Sequence, residues 1–250
     1  MEAKYLSVIS WLQACVTAIF VVSSTLIISW INSHNFGSAV ASGLVIIGSV
    51  VGIKLSELIV KFCINNLRFV RYLIFRRHFI EGRWFDVVLS PETKLIREYG
   101  LVEIGNENGS LSISGILFDC AHRRIGGYSS HLTRFDGKIF EYGYSRHVEH
   151  DNLEEASGLG EYKFTIEKPY PLTFIGSFFD TELATKALVR GFRITDKNVL
   201  EKIDSENLSD QSEIVQELAQ QFLLEFPEYQ PSKTSCEEIT QTVTVKRSND

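Results

Sequence analysis

The first quarter of the chain is uniformly apolar. Between Tyr5 and Ile53 there is no Lys, Arg, Asp or Glu, and this run has room for two helices of about 20 residues, the length that spans a membrane. A polar, uncharged turn at residues 32–37 divides it. The pattern predicts a transmembrane helical hairpin over residues 1–60, with spans at 8–31 and 38–58. Two buried helices of a soluble core are the alternative, although soluble helices usually alternate charged and apolar faces.

Basic residues flank the hairpin and are missing from its turn. Lys4 precedes the first span, and six Lys or Arg residues lie between Lys54 and Arg77. Because positive residues stay on the cytoplasmic side, both termini are expected in the cytoplasm. Residues 61–80 are interpreted as a basic juxtamembrane helix or linker whose Lys and Arg side chains reach the lipid headgroups.

Small residues recur at four-residue spacing in the second predicted span. Ala39 and Gly43 form one such pair, and Gly48 and Gly52 form another. Each pair lies on one face of a helix and lets another helix approach closely. The partner is either the first span of the same chain or a second copy, and the pattern leaves both open.

At Glu81 the period changes from helical to alternating, and eight strand-like runs follow. Turn signals separate them, including Asn108-Gly109 and Asp136-Gly137. Over residues 81–195 the pattern predicts an all-β, antiparallel, up-and-down barrel, since eight strands close around side chains or one small ligand. A two-sheet sandwich is the alternative. The predicted strands are 82–89, 95–105, 110–119, 127–135, 138–146, 161–167, 172–179 and 186–195.

The chain turns helical after Thr195. Ile214, Leu218 and Phe222 recur at the spacing of one helix face, which predicts a C-terminal helical segment over residues 196–226. We expect it to cover a barrel mouth or a neighbouring subunit. Residues 227–250 are poor in apolar side chains and are predicted to be a disordered tail. Residues 147–160 are predicted to form the longest loop.

Charge is divided along the chain. Residues 1–80 hold seven basic and two acidic side chains, whereas residues 81–250 hold 18 basic and 29 acidic ones. The acidic part argues against DNA or RNA as a partner, which would require a basic stripe. Motifs typical of hydrolases, phosphate-binding loops and zinc proteases are missing, so we predict neither an enzyme nor a metal or cofactor site. Four scattered cysteines without a C-x-x-C pair fit a reducing cytoplasm.

Several aromatic and basic residues fall on predicted strands. Arg offers a forked donor to phosphate, and Tyr or Trp offers a ring face to a base. The alternative is that the rings are core and the arginines lie in water; Arg190 and Arg193 in fact fall on opposite faces of one strand. The candidate ligand-binding residues are Trp84, Arg134, Tyr142, Tyr144, Arg146, Arg190 and Arg193.

These features together resemble a known family. Two N-terminal apolar segments and a basic exit precede Gly82-Arg83-Trp84, Tyr142-Gly143-Tyr144 and Gly191-Phe192-Arg193. Over about residues 1–195 the chain resembles the transmembrane β-barrel effectors of bacterial cyclic-oligonucleotide anti-phage signalling (CBASS), the two-transmembrane, β-strand-rich effectors.

The resemblance implies a mechanism. In that family the barrel binds a cyclic dinucleotide from a partner synthase, and the hairpins then oligomerise, disrupt the inner membrane and kill the infected cell. It places this chain in the bacterial inner membrane as a two-pass protein, with cyclic dinucleotide, lipid and further copies of itself as partners. Two other readings stay open: a membrane-anchored, lipocalin-like barrel that holds a lipophilic ligand, and a tethered protein-interaction scaffold.

Overall fold

A computed structural model gives the structure of the chain at residues 2–33, 38–107, 109–148, 156–181, 185–204 and 208–231. The chain divides into two compact units, Met1–Arg76 and Arg77–Asp250.

The first unit is helical. α1 spans Glu2–Ser33 and α2 spans Ser38–Asn66, so the predicted pair of helices is confirmed. The two helices pack on each other where α2 lacks side-chain bulk: a Cβ on Gly52 would lie 3.3 Å from the Cβ of Phe20. A hydrogen bond of 3.2 Å between the hydroxyls of Thr17 and Ser56 joins them on the same side. Gly52 therefore serves packing within one chain.

The predicted crossing of a membrane by these helices is not confirmed. Over the residues that the structure describes, none of the helices combines the length and the apolar character needed to cross a membrane. Ala39, Gly43 and Gly48 lie on α2, but the surroundings of these three residues fall outside the described part of the structure. Residues 34–37 of the predicted turn also lie outside it.

α2 does not continue unbroken into the basic segment. It ends at Asn66, and α3 begins after Leu67 and spans Arg68–Phe75. The guanidinium of Arg71 donates to the carbonyls of Ile64 and Asn65 at 3.0 and 2.8 Å. Since the last carbonyls of a helix have no partner inside it, this buried arginine stabilises the break. A short 3₁₀ turn, Arg76–His78, follows α3.

The second unit is built on eight antiparallel strands, which confirms the predicted up-and-down barrel. Each strand pairs with its neighbour in sequence, and β1 pairs with both β2 and β8, so the sheet closes. Six strands begin within one residue of the predicted positions. The strands are β1 Gly82–Leu89, β2 Leu95–Glu107, β3 Ser110–Asp119, β4 Arg124–Phe135, β5 Ile139–Val148, β6 Ala156–Phe164, β7 Thr173–Asp180 and β8 Thr185–Arg193.

β1 shows how the barrel divides its core in two. Almost every side chain of this strand is buried, on both faces. Trp84 and its inward neighbours pack inside the barrel among rings of β5, β6 and β7. Phe85, Val87 and Leu89 point outward into a second apolar cluster. Because helices cover one side of β1 and the filled barrel lies on the other, neither face of the strand is largely exposed to solvent.

The second cluster lies between the outer wall of the barrel and the C-terminal helices. α4 spans Lys197–Ile203 and α5 spans Leu208–Glu225. Ile214, Leu218 and Phe222 of α5 are buried against outward residues of β1, β2 and β8. The predicted helix face is therefore confirmed, whereas the expectation that it covers a barrel mouth is wrong: it covers the wall.

Two predicted boundaries are corrected. The predicted loop at 147–160 is too long, because β5 extends to Val148 and β6 begins at Ala156; residues 149–155 lie outside the described part. The predicted tail begins too early: a two-residue strand, β9 Gln230–Pro231, pairs in parallel with the start of β2. Residues 232–250 of the predicted tail lie outside the described residues.

Candidate functional site

A small chamber with polar and aromatic lining residues lies inside the barrel near one end. The chamber has a volume of about 30 Å³, enough for about two water molecules. It is formed by inward residues of β1 to β7. Its lining residues are Asp86, Val88, Glu98, Leu117, Tyr128, Tyr142, Tyr144, Arg146, Tyr162 and Phe178.

Asp86 is the buried acid of this chamber. It is 2% exposed, and its Oδ2 accepts a hydrogen bond of 2.9 Å from the hydroxyl of Tyr162. A second tyrosine follows, since the hydroxyls of Tyr128 and Tyr162 lie 3.2 Å apart. The other carboxylate oxygen, Oδ1, has no hydrogen-bond partner. Burial disfavours the charged form and raises the pKa of Asp86 to about 7.

An ion pair lies where the chamber approaches solvent. Nη2 of Arg146 on β5 lies 3.2 Å from Oε1 of Glu98 on β2, and the two side chains are 19% and 16% exposed. Nε of Arg146 and the hydroxyl of Tyr144 have no hydrogen-bond partner. Burial also raises the pKa of the Tyr144 hydroxyl, so it stays protonated. Two polar groups are thus left to interact with an occupant of the chamber.

Aromatic rings fill the remainder of the interior, and β6 makes room for them. A Cβ on Gly160 would lie 2.2 Å from Cζ of Tyr142, and one on Gly158 would lie 2.5 Å from the hydroxyl of Tyr144. Tyr162 stacks on Phe174 with ring centroids 4.1 Å apart. Ligand pockets usually measure about 300–1,000 Å³, so the chamber of about 30 Å³ is much smaller than a nucleotide or a lipid requires.

The far end of the barrel is held by Arg193 and Trp84. Arg193 donates to the carbonyls of Phe79, Glu81 and Pro171, and its guanidinium lies 5.2 Å from the Trp84 ring centroid. The indole Nε1 of Trp84 donates to the carbonyl of Ile80 at 2.9 Å. Both predicted ligand-binding residues are therefore engaged in contacts within this end of the barrel.

A second hollow, the wall groove, lies on the outer face of β4 to β8. Its volume is about 880 Å³. Leu132 and Leu159 in it are 68% and 62% exposed, and Phe179 is also exposed. Its charged residues are Arg134, Glu141, Glu161 and Lys186. Arg134 is 82% exposed and lies 3.8 Å from Glu141, a separation at which a surface ion pair is weak.

The structure separates the predicted ligand-binding residues into four places. Tyr142, Tyr144 and Arg146 surround the chamber, and Trp84 with Arg193 lies at the other end of the interior. Arg134 lies in the wall groove, and Tyr142 borders both hollows. Arg190 is outside the barrel, where its guanidinium lies 3.8 Å from the Phe226 ring and 3.5 Å from Glu228.

Sequence reasoning missed the acids. Asp86 and Glu98 are not among the residue types that match a phosphate, so a phosphate ligand does not point to them. A signal was present at Asp86, because it stands alone among Trp84, Phe85, Val87 and Val88, where alternation places it inside. A charged residue at an inward position of a buried strand marks a polar site in the core.

Neither a metal site among the described residues nor a relative of known family was found. Among the residues that the structure describes, no group of three or more His, Cys, Asp or Glu side chains is placed to hold a metal ion. Comparisons with protein-family models, curated proteins and solved structures found no match. The resemblance to CBASS effectors therefore rests on the residues of this chain alone.

Proposed function

We propose that this protein is a membrane-associated anti-phage effector whose barrel binds a cyclic dinucleotide and whose helices then oligomerise and disrupt the membrane, causing abortive infection. The observation that carries the proposal is the wall groove, about 880 Å³ in volume with cations and exposed apolar side chains. The groove lies within the size range of ligand pockets, and the chamber, at about 30 Å³, does not.

The groove has groups for each part of such a ligand. Arg134 on β4 and Lys186 on β8 are exposed cations that suit phosphates. Phe179 offers a ring face on which a base stacks, and Leu159 pairs with it across β6 and β7. Glu141, like Glu161 beside it, accepts hydrogen bonds from the amino groups of a base. The carboxylates of the two acids repel phosphates, so the phosphates should bind beside the two cations.

The helical unit supports the membrane part of the proposal. Trp11 and Leu26 on α1, and Leu58 and Phe62 on α2, are among many large apolar side chains that are exposed there. Such surfaces mark contact with lipid or with other copies. Together with the basic flanks, they support a hairpin in the inner membrane with both termini in the cytoplasm.

Calorimetric titration of the full chain in a mild detergent tests the binding step. A panel of cyclic di- and trinucleotides is added to the wild type and to Arg134→Ala. The variant should bind about ten- to a hundredfold more weakly, since a hydrogen bond to a charged group contributes about 1.5–3 kcal/mol. Lys163→Ala, an exposed lysine of β6 outside the groove, is the matched control and should bind normally.

A chamber variant separates the two hollows. Tyr144→Phe alters the chamber and leaves the groove unchanged, so nucleotide affinity should stay the same. Loss of affinity in Tyr144→Phe with none in Arg134→Ala would place the ligand inside the barrel and contradict the groove assignment. No binding by the wild type to any nucleotide would contradict the ligand itself.

A tethered scaffold for a protein partner is the second candidate. A barrel filled with its own rings needs no ligand, and Leu132, Leu159 and Phe179 form the kind of exposed apolar patch that protein interfaces use. In this case the titration shows no nucleotide binding. A protein partner binds the wild type and does not bind Leu159→Asp. The third reading, a lipocalin-like barrel, gains no support from a 30 Å³ chamber.

A further inference from the structure

When Asp86 is ionised, the chamber carries a negative charge that its other residues do not balance. Asp86 is buried and receives one hydrogen bond, from Tyr162, while its Oδ1 has no partner. A buried carboxylate is costly unless it is paired and hydrogen-bonded. Either a proton or a bound cation must therefore neutralise it.

The arginine that lines the chamber is already engaged in an ion pair. Arg146 pairs with Glu98, so these two side chains neutralise each other. In the part of the chain that the structure describes, no ion pair reaches Asp86. With Asp86 ionised, these three charged residues therefore have a net charge of −1, which favours a monovalent cation.

The walls of the chamber suit a cation of one kind. Tyr128, Tyr142, Tyr144 and Phe178 line it beside the carboxylate, and aromatic ring faces attract ammonium groups electrostatically. The free hydroxyl of Tyr144 adds an oxygen that accepts a hydrogen bond. Divalent Ca²⁺ would require six to eight oxygen ligands, including several carboxylates, and here only one carboxylate is unpaired.

The volume of the chamber limits the size of the cation that it can hold. About 30 Å³ accommodates about two water molecules, so an ammonium ion or a methylammonium ion fits. A tetramethylammonium ion does not.

We propose that the chamber is a binding site for a small monovalent cation of the ammonium type, held by the carboxylate of Asp86 and the surrounding tyrosine rings. The site is independent of the proposed function, because the wall groove can bind or fail to bind a nucleotide whatever the chamber holds. Tyr142 and Phe178 border both hollows.

Thermal unfolding of the full chain tests the proposal. At pH 8, ammonium chloride is compared with tetramethylammonium chloride at equal ionic strength. Ammonium should raise the unfolding midpoint by about 2–4 °C once it exceeds its dissociation constant several-fold, because a ligand that binds only the folded state stabilises it. Asp86→Asn keeps the shape and removes the charge, so the ammonium-specific rise should disappear.

Proton release gives a second measurement. Tyr128, Tyr142, Tyr144, Tyr162, Arg146 and Glu98 face Asp86, and burial holds the tyrosines protonated well above neutral pH. At pH 7, where about half of the Asp86 carboxyls carry a proton, ammonium should release up to about half a proton per chain. Tetramethylammonium should release none.

The proposal fails if ammonium and tetramethylammonium shift the midpoint equally, or if Asp86→Asn keeps the ammonium-specific rise. Should Asp86→Asn not fold, Tyr144→Phe replaces it. This variant should lower the ammonium affinity several-fold, because it removes one oxygen and leaves the ring. An unchanged affinity in Tyr144→Phe, with no proton release by the wild type, overturns the proposal.

Discussion

The outer surface of the barrel is buried on one side and exposed to solvent on another. On the wall of β1, β2 and β8, the outward residues Phe85, Val87 and Phe192 are buried beneath α4 and α5. On the wall of β4 to β7, Leu132 and Leu159 point outward and stay exposed. Both walls follow the same in-and-out alternation, so the difference comes from what the described part of the chain places over them.

This contrast separates stability from binding. Apolar area removed from water contributes about 25 cal/mol per Å² to folding, so the covered wall stabilises the protein. The same kind of side chain left exposed contributes little to folding and marks a surface for another molecule. The covered wall should therefore respond to mutation through the free energy of unfolding, and the bare wall should respond through binding.

The largest effect is expected under the helices. Phe222 of α5 is fully buried, with its ring centroid 5.0 Å from that of Phe226. Phe222→Ala removes this ring and leaves a cavity, which should lower the free energy of unfolding by about 3–5 kcal/mol. Urea denaturation followed by circular dichroism measures the loss.

Leu224 on the same helix is the matched control, because it is 85% exposed. Leu224→Ala should change the free energy of unfolding by less than about 0.5 kcal/mol. Equal losses in the two variants would show that α5 does not cover the wall as described.

The inner face behind the bare wall should also be sensitive to mutation, although less so than the covered wall. Gly160 of β6 faces inward, and a Cβ there would lie 2.2 Å from Cζ of Tyr142. Gly160→Ala should lower the free energy of unfolding by about 1–3 kcal/mol, since overpacking forces rings off their preferred positions. Gly105→Ala is the control, because its nearest neighbour, Oγ of Ser112, lies at 3.4 Å. A neutral Gly160→Ala would mean that the rings move freely.

The stability of the protein should depend on pH because of Asp86, which lies on β1 with its side chain inside the barrel. Its pKa is raised to about 7, above the ordinary value of about 3.9, so the folded state binds more protons than the unfolded state between these values. Stability should therefore fall as pH rises through 7, by about 1.4 kcal/mol from pH 6 to pH 8. Unfolding of the wild type and of Asp86→Asn in sodium buffers at both pH values measures it. Parallel behaviour of the two proteins would assign the slope to other groups.

The sequence predicted the barrel well because its signals are local. Alternation over residues such as Tyr162 and Phe164, and glycine turns such as Gly109 and Gly137, set strand number, order and most boundaries. The start of β6 was missed because Gly158 and Gly160 suggest a loop. Their role depends on tyrosines of the neighbouring strand, which a local pattern does not reveal.

The candidate sites were harder to predict. Alternation places Arg134 and Glu141 on one face of their strands, but the wall groove also depends on where α5 leaves the barrel bare. Likewise, the chamber depends on the volumes of rings from several strands. Arg190 shows the limit: it lies outside the barrel as parity allows, yet Phe226 and Tyr229 cover it. These are tertiary contacts between residues far apart in the sequence.

The smallest effect on stability, and the sharpest test of the comparison, is expected on the bare wall. Leu159 is 62% exposed and lies opposite Phe179 across β6 and β7. Leu159→Ser should change the free energy of unfolding by less than about 0.5 kcal/mol, because little apolar area is lost from the interior. The same variant should weaken whatever the groove binds, which under our proposal is a cyclic dinucleotide. Ile166→Ser, at an exposed position after β6 and outside the groove, should change neither quantity. If Leu159→Ser instead destabilised the protein by several kcal/mol, the wall would already be covered by this chain, and its apolar side chains would need no partner.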